Sequence, residues 1–197
     1  MGTRNPGRPR SEQARRAVLD AAVGLIEESG YGRLTLDGIA RRAGVSRQTV
    51  YRWWPGKAEI VLEALNDAAS AIAPAPDSGS LETDLRTLLR RTIKGATGRN
   101  ARMLAALMAE AQLDEDFAES FRSGFLARRR RVLRDTLERG RARGEIGDSA
   151  DLDFLVDLAF GTLWYRILSH HARLDRRFAD QLTDTLLALA ADGQIAV

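Results

Sequence analysis

Apolar residues recur along this chain at three- and four-residue spacing with polar positions between them, and no stretch keeps the two-residue alternation of a half-buried strand. The pattern predicts an all-α protein. Ala14, Val18, Ala21, Ala22, Leu25 and Ile26 share one face of a helix that Ser11 can cap and Gly30 can stop. Two short helices follow. Thr35 can cap the first, with Leu36, Ile39, Ala40 and Ala43 inward, and Gly44 ends it; Ser46 can cap the second, which runs through Tyr51 to about Trp54. Pro55 and Gly56 break that helix, and a longer one then carries Ile60, Val61, Ala64, Leu65, Ala68 and Ile72 on one side. Pro74, Pro76, Asp77, Ser78 and Gly79 mark a linker or bend.

Beyond the bend the same spacing predicts five more segments, roughly 80–96, 100–113, 115–142, 150–171 and 176–191, for about nine helices in all. The segment from 150 is the most apolar, with Leu152, Phe154, Leu155, Val156, Leu158, Ala159, Phe160, Leu163, Trp164, Ile167 and Leu168. A helix apolar on nearly every side must be covered on nearly every side. In so small a protein that predicts a partner subunit over its outer face.

Composition narrows the class. The 197 residues include no cysteine, so disulfides, thiolate metal sites and cysteine nucleophiles are excluded, in keeping with a reducing, cytoplasmic setting. No apolar run approaches the ~18 residues of a spanning helix, and no apolar core follows the Arg/Pro-rich start, so neither membrane insertion nor secretion is expected. Charge is uneven. Residues 1–57 hold eleven Lys and Arg against five acids, a net +6, and the remainder is −3. Either a polyanion-binding head on a separate body or an ordinary solvated basic surface would give this balance. The expected organisation is a flexible basic arm over 1–10, a head over 11–57 and a helical body over 58–197.

The two short helices joined at Ala43-Gly44-Val45-Ser46 have the length and turn chemistry of a helix-turn-helix, whose second helix enters the major groove. The run Leu34-Thr35-Leu36-Asp37-Gly38-Ile39-Ala40, then Ala43-Gly44-Val45-Ser46, then Thr49-Val50-Tyr51-Arg52-Trp53-Trp54-Pro55-Gly56-Lys57-Ala58-Glu59 resembles the N-terminal domain of TetR-family transcriptional regulators. The resemblance covers about residues 14–62. It implies a three-helix head, a connecting fourth helix, a divergent ligand-binding helical body and a homodimer on a near-palindromic double-stranded operator, usually as a repressor. Trp54 stands where the family usually has phenylalanine, and is expected in the same pocket. Gly38 stands where a glutamate often completes the cap, and weakens its helix by about 1 kcal/mol relative to alanine.

On physical grounds, Arg47 and Gln48 in the first turn of the reading helix suit guanine O6/N7 and adenine N6/N7. Arg52 shares their polar side. Thr49 and Ser46 are short hydroxyl residues able to meet a phosphate or a thymine methyl, with capping the first role of Ser46. Thr35 can offer its hydroxyl and a helix N-terminus to a phosphate. The resemblance implies phosphate contacts from Tyr51 and from Lys57, against core tyrosine and solvated lysine as the plainer alternatives. Arg8 and Arg10 of the arm are candidates for the minor groove.

For the body, Met103, Leu107, Met108, Phe117, Phe121, Phe125, Trp164 and Tyr165 are candidate lining for a small, hydrophobic or aromatic effector, although plain core packing explains each of them too. Leu155, Leu158, Phe160, Leu163, Ile167, Phe178, Leu182, Leu186 and Leu189 of the last two helices are candidates for a four-helix dimer interface, as the resemblance implies. The run Arg128–Arg131 reads as a solvated helix face, with Arg131–Asp135 and Arg134–Glu138 at salt-bridging spacing. His170 and His171 lack a third His or Cys to complete a zinc set. No hydrolase, metalloprotease, P-loop or dinucleotide fingerprint is present, so no catalytic residue, metal or cofactor is assigned. The rival to a DNA-binding regulator is a ligand-binding or interaction module that reads no operator.

Overall fold

The computed structural model describes residues 11–70 and 75–192, apart from the side chains of Ala69, Ser70 and Asp192, and every regular element among these residues is a helix. Arg8, Arg10 and Ile72 lie outside the described residues. The chain divides between Ala64 and Leu65 into two compact units.

The first unit holds α1 (Glu12–Ser29), a 3-10 turn (Tyr31–Arg33), α2 (Leu36–Ala43), α3 (Arg47–Trp53) and the start of α4 (Lys57–Ser70). Each of its first three helices starts at the hydroxyl residue that the sequence offers. Ser11 Oγ accepts from the Ala14 amide at 3.4 Å, Thr35 Oγ1 from Gly38 at 3.1 Å and Ser46 Oγ from Thr49 at 3.1 Å. Gly44 closes α2 in the left-handed region at φ 66°, which a side chain would strain. Val18, Ala22, Ile39, Val50, Ile60 and Val61 are fully buried and form the small core. Two of these six lie on α4. The unit therefore extends past the helix-breaking Pro55-Gly56 pair into the first two turns of α4.

The second unit continues with α4 and adds α5 (Leu81–Gly95), α6 (Gly98–Glu110), α7 (Glu115–Ser120), a π-helical segment (Phe121–Leu126), α8 (Ala127–Ala142), α9 (Leu152–Ser169) and α10 (Arg176–Asp192). Helix α5 packs on α8 and α10, and α9 packs on α6, α8 and α10. At the α5–α8 crossing a Cβ on Gly140 would stand 2.9 Å from Leu81 Cδ1, so any larger residue there would force the buried Leu81 side chain to shift. Carboxylates secure the start of α5. Asp84 Oδ1 accepts from the Ser78 amide at 2.8 Å and Glu145 Oε2 from the Leu81 amide at 2.6 Å. That amide, and then Arg143, hold the Glu145 carboxyl below its ordinary range.

Residues 115–142 form one continuous rod as the spacing predicts, but with a π-helical stretch in its middle. In α geometry residues four apart drift by about 40° per step. The wider π turn works against this drift, and Phe121 stacks on Phe125 at 5.5 Å with planes 7° apart.

Candidate nucleic-acid interface and interior cavity

Helix α3 is held by one side and presents the other. Val50 is fully buried and Thr49 half-buried, while Arg47, Gln48, Tyr51 and Arg52 are exposed. Tyr51 leaves 56% of its surface in water, which rules out a core role. Ser46 is committed to the cap, and its Oγ also lies 2.8 Å from Thr49 Oγ1, so both hydroxyls are engaged with each other. Arg47 Nε stands 3.1 Å from Asp37 Oδ1 of α2, which sets an exposed guanidinium against a half-buried carboxylate. Arg52 lies 5.8 Å from the centre of the Trp53 ring.

The flanking helix starts are also in place. Thr35 is exposed and caps α2. Lys57, at the start of α4, donates to the Tyr31 carbonyl at 3.4 Å, with Nζ 4.4 Å over the Tyr31 ring. The lysine is thus partly sheltered by an aromatic face. Trp54 is buried, as expected for the family pocket, and its indole needs an acceptor that phenylalanine would not. Glu63 supplies it: Trp54 Nε1 donates to Glu63 Oε2 at 2.7 Å, and Arg15 donates to Glu63 Oε1 at 2.7 Å. The Arg15–Glu63–Trp54 link ties α1 and the end of α3 to α4, and only a fold could reveal it, because the three residues are 9 to 48 positions apart.

In the second unit a cavity of about 460 Å3 opens among α4, α5, α6, the π segment, α8 and α9. Of the candidate lining residues, Met108, Phe125 and Trp164 reach it. Met103, Leu107, Phe117 and Phe121 are instead buried in the core, and Tyr165 points to solvent with 63% exposure. Sequence spacing selected the large apolar residues but missed what makes the room. Ala68, Gly95, Ala96 and Gly161 line the wall, together with Leu65, Leu104, Leu126 and Ile167. Small side chains leave space only where helices face each other, and nothing local marks that. The polar lining comes from Thr92, Asn100, Arg129, Arg130 and Asp157. Of the arginine run, Arg128 and Arg131 are exposed, as expected of a solvated face, whereas Arg129 and Arg130 border the cavity, Arg130 with its side chain still 39% exposed. Arg134 does pair with Glu138, at 2.8 Å, but also reaches Asp153 of α9.

The candidate interface residues divide in the same way. Leu155, Leu163, Ile167, Phe178, Leu182 and Leu186 are buried within the single chain, Phe160 and Leu163 line the cavity, and Leu158 and Leu189 are half-buried. The apolar and small residues that α9 leaves toward solvent include Phe154, half-buried Leu158, Gly161, Tyr165 and Leu168, a stripe at alternating four- and three-residue spacing beside exposed Asp153, Asp157, Thr162 and Ser169. His170 closes α9 in the left-handed region, and His171 lies 4.6 Å from the Tyr165 ring. Among the described residues no group of three metal-ligating side chains exists, and no helix is long and apolar enough to cross a membrane.

A capped reading helix with a polar outer face, set on a three-helix core ahead of a helical body with an apolar cavity, defines a helix-turn-helix regulator. Comparison with known proteins agrees. Residues 18–64 match the family "Bacterial regulatory proteins, tetR family", and residues 75–186 match "Tetracyclin repressor-like, C-terminal domain". The chain is 36% identical to the uncharacterized HTH-type transcriptional regulator YdeS of Bacillus subtilis over 82% of each chain. It is 29% identical to the DNA-binding transcriptional repressor TetR of Mycobacteroides abscessus over 90% of this chain and 94% of that one. The crystal structure of the TetR family transcription regulator SCO0332 superposes with a TM-score of 0.76 at 32% identity, covering 94% of this chain and all of that one. The chain belongs to the TetR family of DNA-binding transcriptional regulators.

Proposed function

We propose that the protein is a ligand-released repressor that binds a near-palindromic operator as a homodimer. The observation that carries this reading is the reading helix itself, anchored by buried Val50 with Arg47, Gln48, Tyr51 and Arg52 turned outward. Arg47 and Gln48 read base edges, Arg47 exchanging half-buried Asp37 for guanine. Tyr51, Arg52, Thr35 and Lys57 hold phosphates and set the register, with Ser46 and Thr49 stiffening the first turn between them. The arm residues Arg8 and Arg10 add minor-groove contacts.

Dimerisation uses the outer stripe of α9, since an apolar helix face left in water needs a cover. Two-fold symmetry then matches two half-sites about one DNA turn, ~34 Å, or a multiple apart. The effector is a small, largely apolar molecule in the cavity. Leu65 and Ala68, in the last turns of α4, line that cavity, and Lys57 begins the same helix, so a ligand that prefers one position of α4 biases the reading heads.

Selection of duplexes from a random pool by the purified protein, at fixed near-physiological salt, tests this reading. An enriched inverted repeat is the expected result. Unselective binding that fades with salt would overturn it in favour of a ligand-binding module that reads no operator.

A further inference from the structure

The arginine run on α8 meets an acid ladder on α9 that stops one step short. Arg134 pairs with Asp153 at 3.1 Å, and Arg130 pairs with Asp157. After Asp157, α9 carries no further acid through Ser169. Arg129 is left over. Among the described residues it makes no hydrogen bond or ion pair, and its guanidinium carbon lies 5.5 Å from the centre of the Phe125 ring, in the wall of the apolar cavity. Burial first, and Arg128 second, push its pKa down from the usual arginine value. Asp157 is the one acid among the lining residues, and Arg130 already holds it. The wall therefore carries one uncompensated positive charge beside Phe125, Met108 and Trp164.

A sheltered charge without a partner is costly, and proteins ordinarily pair it. An arriving anion would relieve that cost, whereas a neutral ligand would bury the charge further and a cation would be repelled. The planar guanidinium also matches a carboxylate or sulfonate with two parallel hydrogen bonds.

We propose that the cavity takes an amphipathic monoanion, an apolar or aromatic body with one carboxylate or sulfonate group that ion-pairs with Arg129. The inference rests on the reading of the cavity as the effector site and adds the charge and the anchoring residue. It separates Arg129 from Arg130, its neighbour in the run, because only the latter is neutralised by the protein.

Two fluorescent probes with the same aromatic body test it on the full-length protein: anilinonaphthalene sulfonate, an anion, and N-phenylnaphthylamine, which is neutral. Titrations are made on the wild type, on Arg129→Met, on Arg129→Lys and on Thr92→Phe, which fills the cavity from α5; circular dichroism checks that each variant folds. The wild type should bind the anion at least about tenfold more tightly than the neutral probe. Arg129→Met should abolish that preference while leaving the neutral probe bound, Arg129→Lys should keep part of it, and Thr92→Phe should weaken both probes. A preference that survives Arg129→Met, or a wild type that binds the two probes equally, overturns the anionic anchor while leaving the effector cavity in place. Failure of both probes to bind, or binding by Thr92→Phe equal to that of the wild type, overturns the cavity reading and this inference together.

Discussion

The head and the body each offer cations to a ligand, but in opposite settings. In the head Arg47 and Arg52 are exposed on α3, where a charge costs little to hold and, on the proposed reading, would meet phosphate and base edges as they arrive. In the body Arg129 is drawn back beside Phe125, where the charge is costly until an anion meets it. The first arrangement favours fast, salt-sensitive capture of a polyanion. The second favours discrimination among small molecules, because an unsatisfied sheltered group penalises every ligand that fails to pair with it.

The comparison can be broken most severely in the body. Phe121→Ala removes a fully buried ring from the stack between Phe117 and Phe125 and is expected to cost about 3–5 kcal/mol in chemical denaturation. A loss under about 1 kcal/mol would mean that the π segment is loosely packed.

Charge placed on α9 separates its inner and outer faces. Leu163→Arg inserts a cation into the interior and should unfold the body, whereas Leu168→Arg, on the exposed stripe, should leave the melting curve intact and yield monomers in sedimentation. A folded monomer from Leu163→Arg, or an unchanged dimer from Leu168→Arg, would place the interface elsewhere.

In the head, Arg47→Ala should cost about 1–3 kcal/mol on the selected duplex and relax preference at one base pair, whereas Lys57→Gln should weaken all duplexes alike and reduce the salt slope by about 1. Anisotropy titrations at several salt concentrations distinguish the two. Ser46→Ala should destabilise the first unit by about 1 kcal/mol through loss of the α3 cap, measured by thermal unfolding.

The smallest effect is that of pH on Glu145. Its folded-state pKa is lowered by the Leu81 amide and Arg143, so its contribution is fully present above the ordinary glutamate range, about 4.3, and is lost as pH falls through the lowered value. The melting-temperature gap between wild type and Glu145→Gln should be constant near neutrality and shrink in acid. A gap that widened in acid would reverse the assignment.

Much of the head is legible in the order of its residues. Ser11, Thr35, Ser46 and Gly44 stand where the sequence puts the helix ends, because capping acts between residues three or four apart, and the exposed face of α3 follows from a single buried Val50. The body is legible only as helices. Apolar spacing marks Phe117, Phe121 and Phe125 alike, yet only Phe125 lines the cavity, and Leu155, Leu163 and Ile167 face inward where an interface was expected.

The sequence by itself determined the all-α class, the capped helix starts of the head, the helix-turn-helix and the family, since these depend on interactions within a few residues and on a motif continuous in the chain. Tertiary structure alone decided which face of α9 remains exposed, that Glu63 binds both Trp54 and Arg15, and that Arg130 finds an acid while Arg129 does not. A helix apolar on several sides carries no local record of which neighbour covers which side, and a charge carries none of whether an opposite charge will stand across from it. Those outcomes depend on how distant helices pack, and so appear only when the chain is folded.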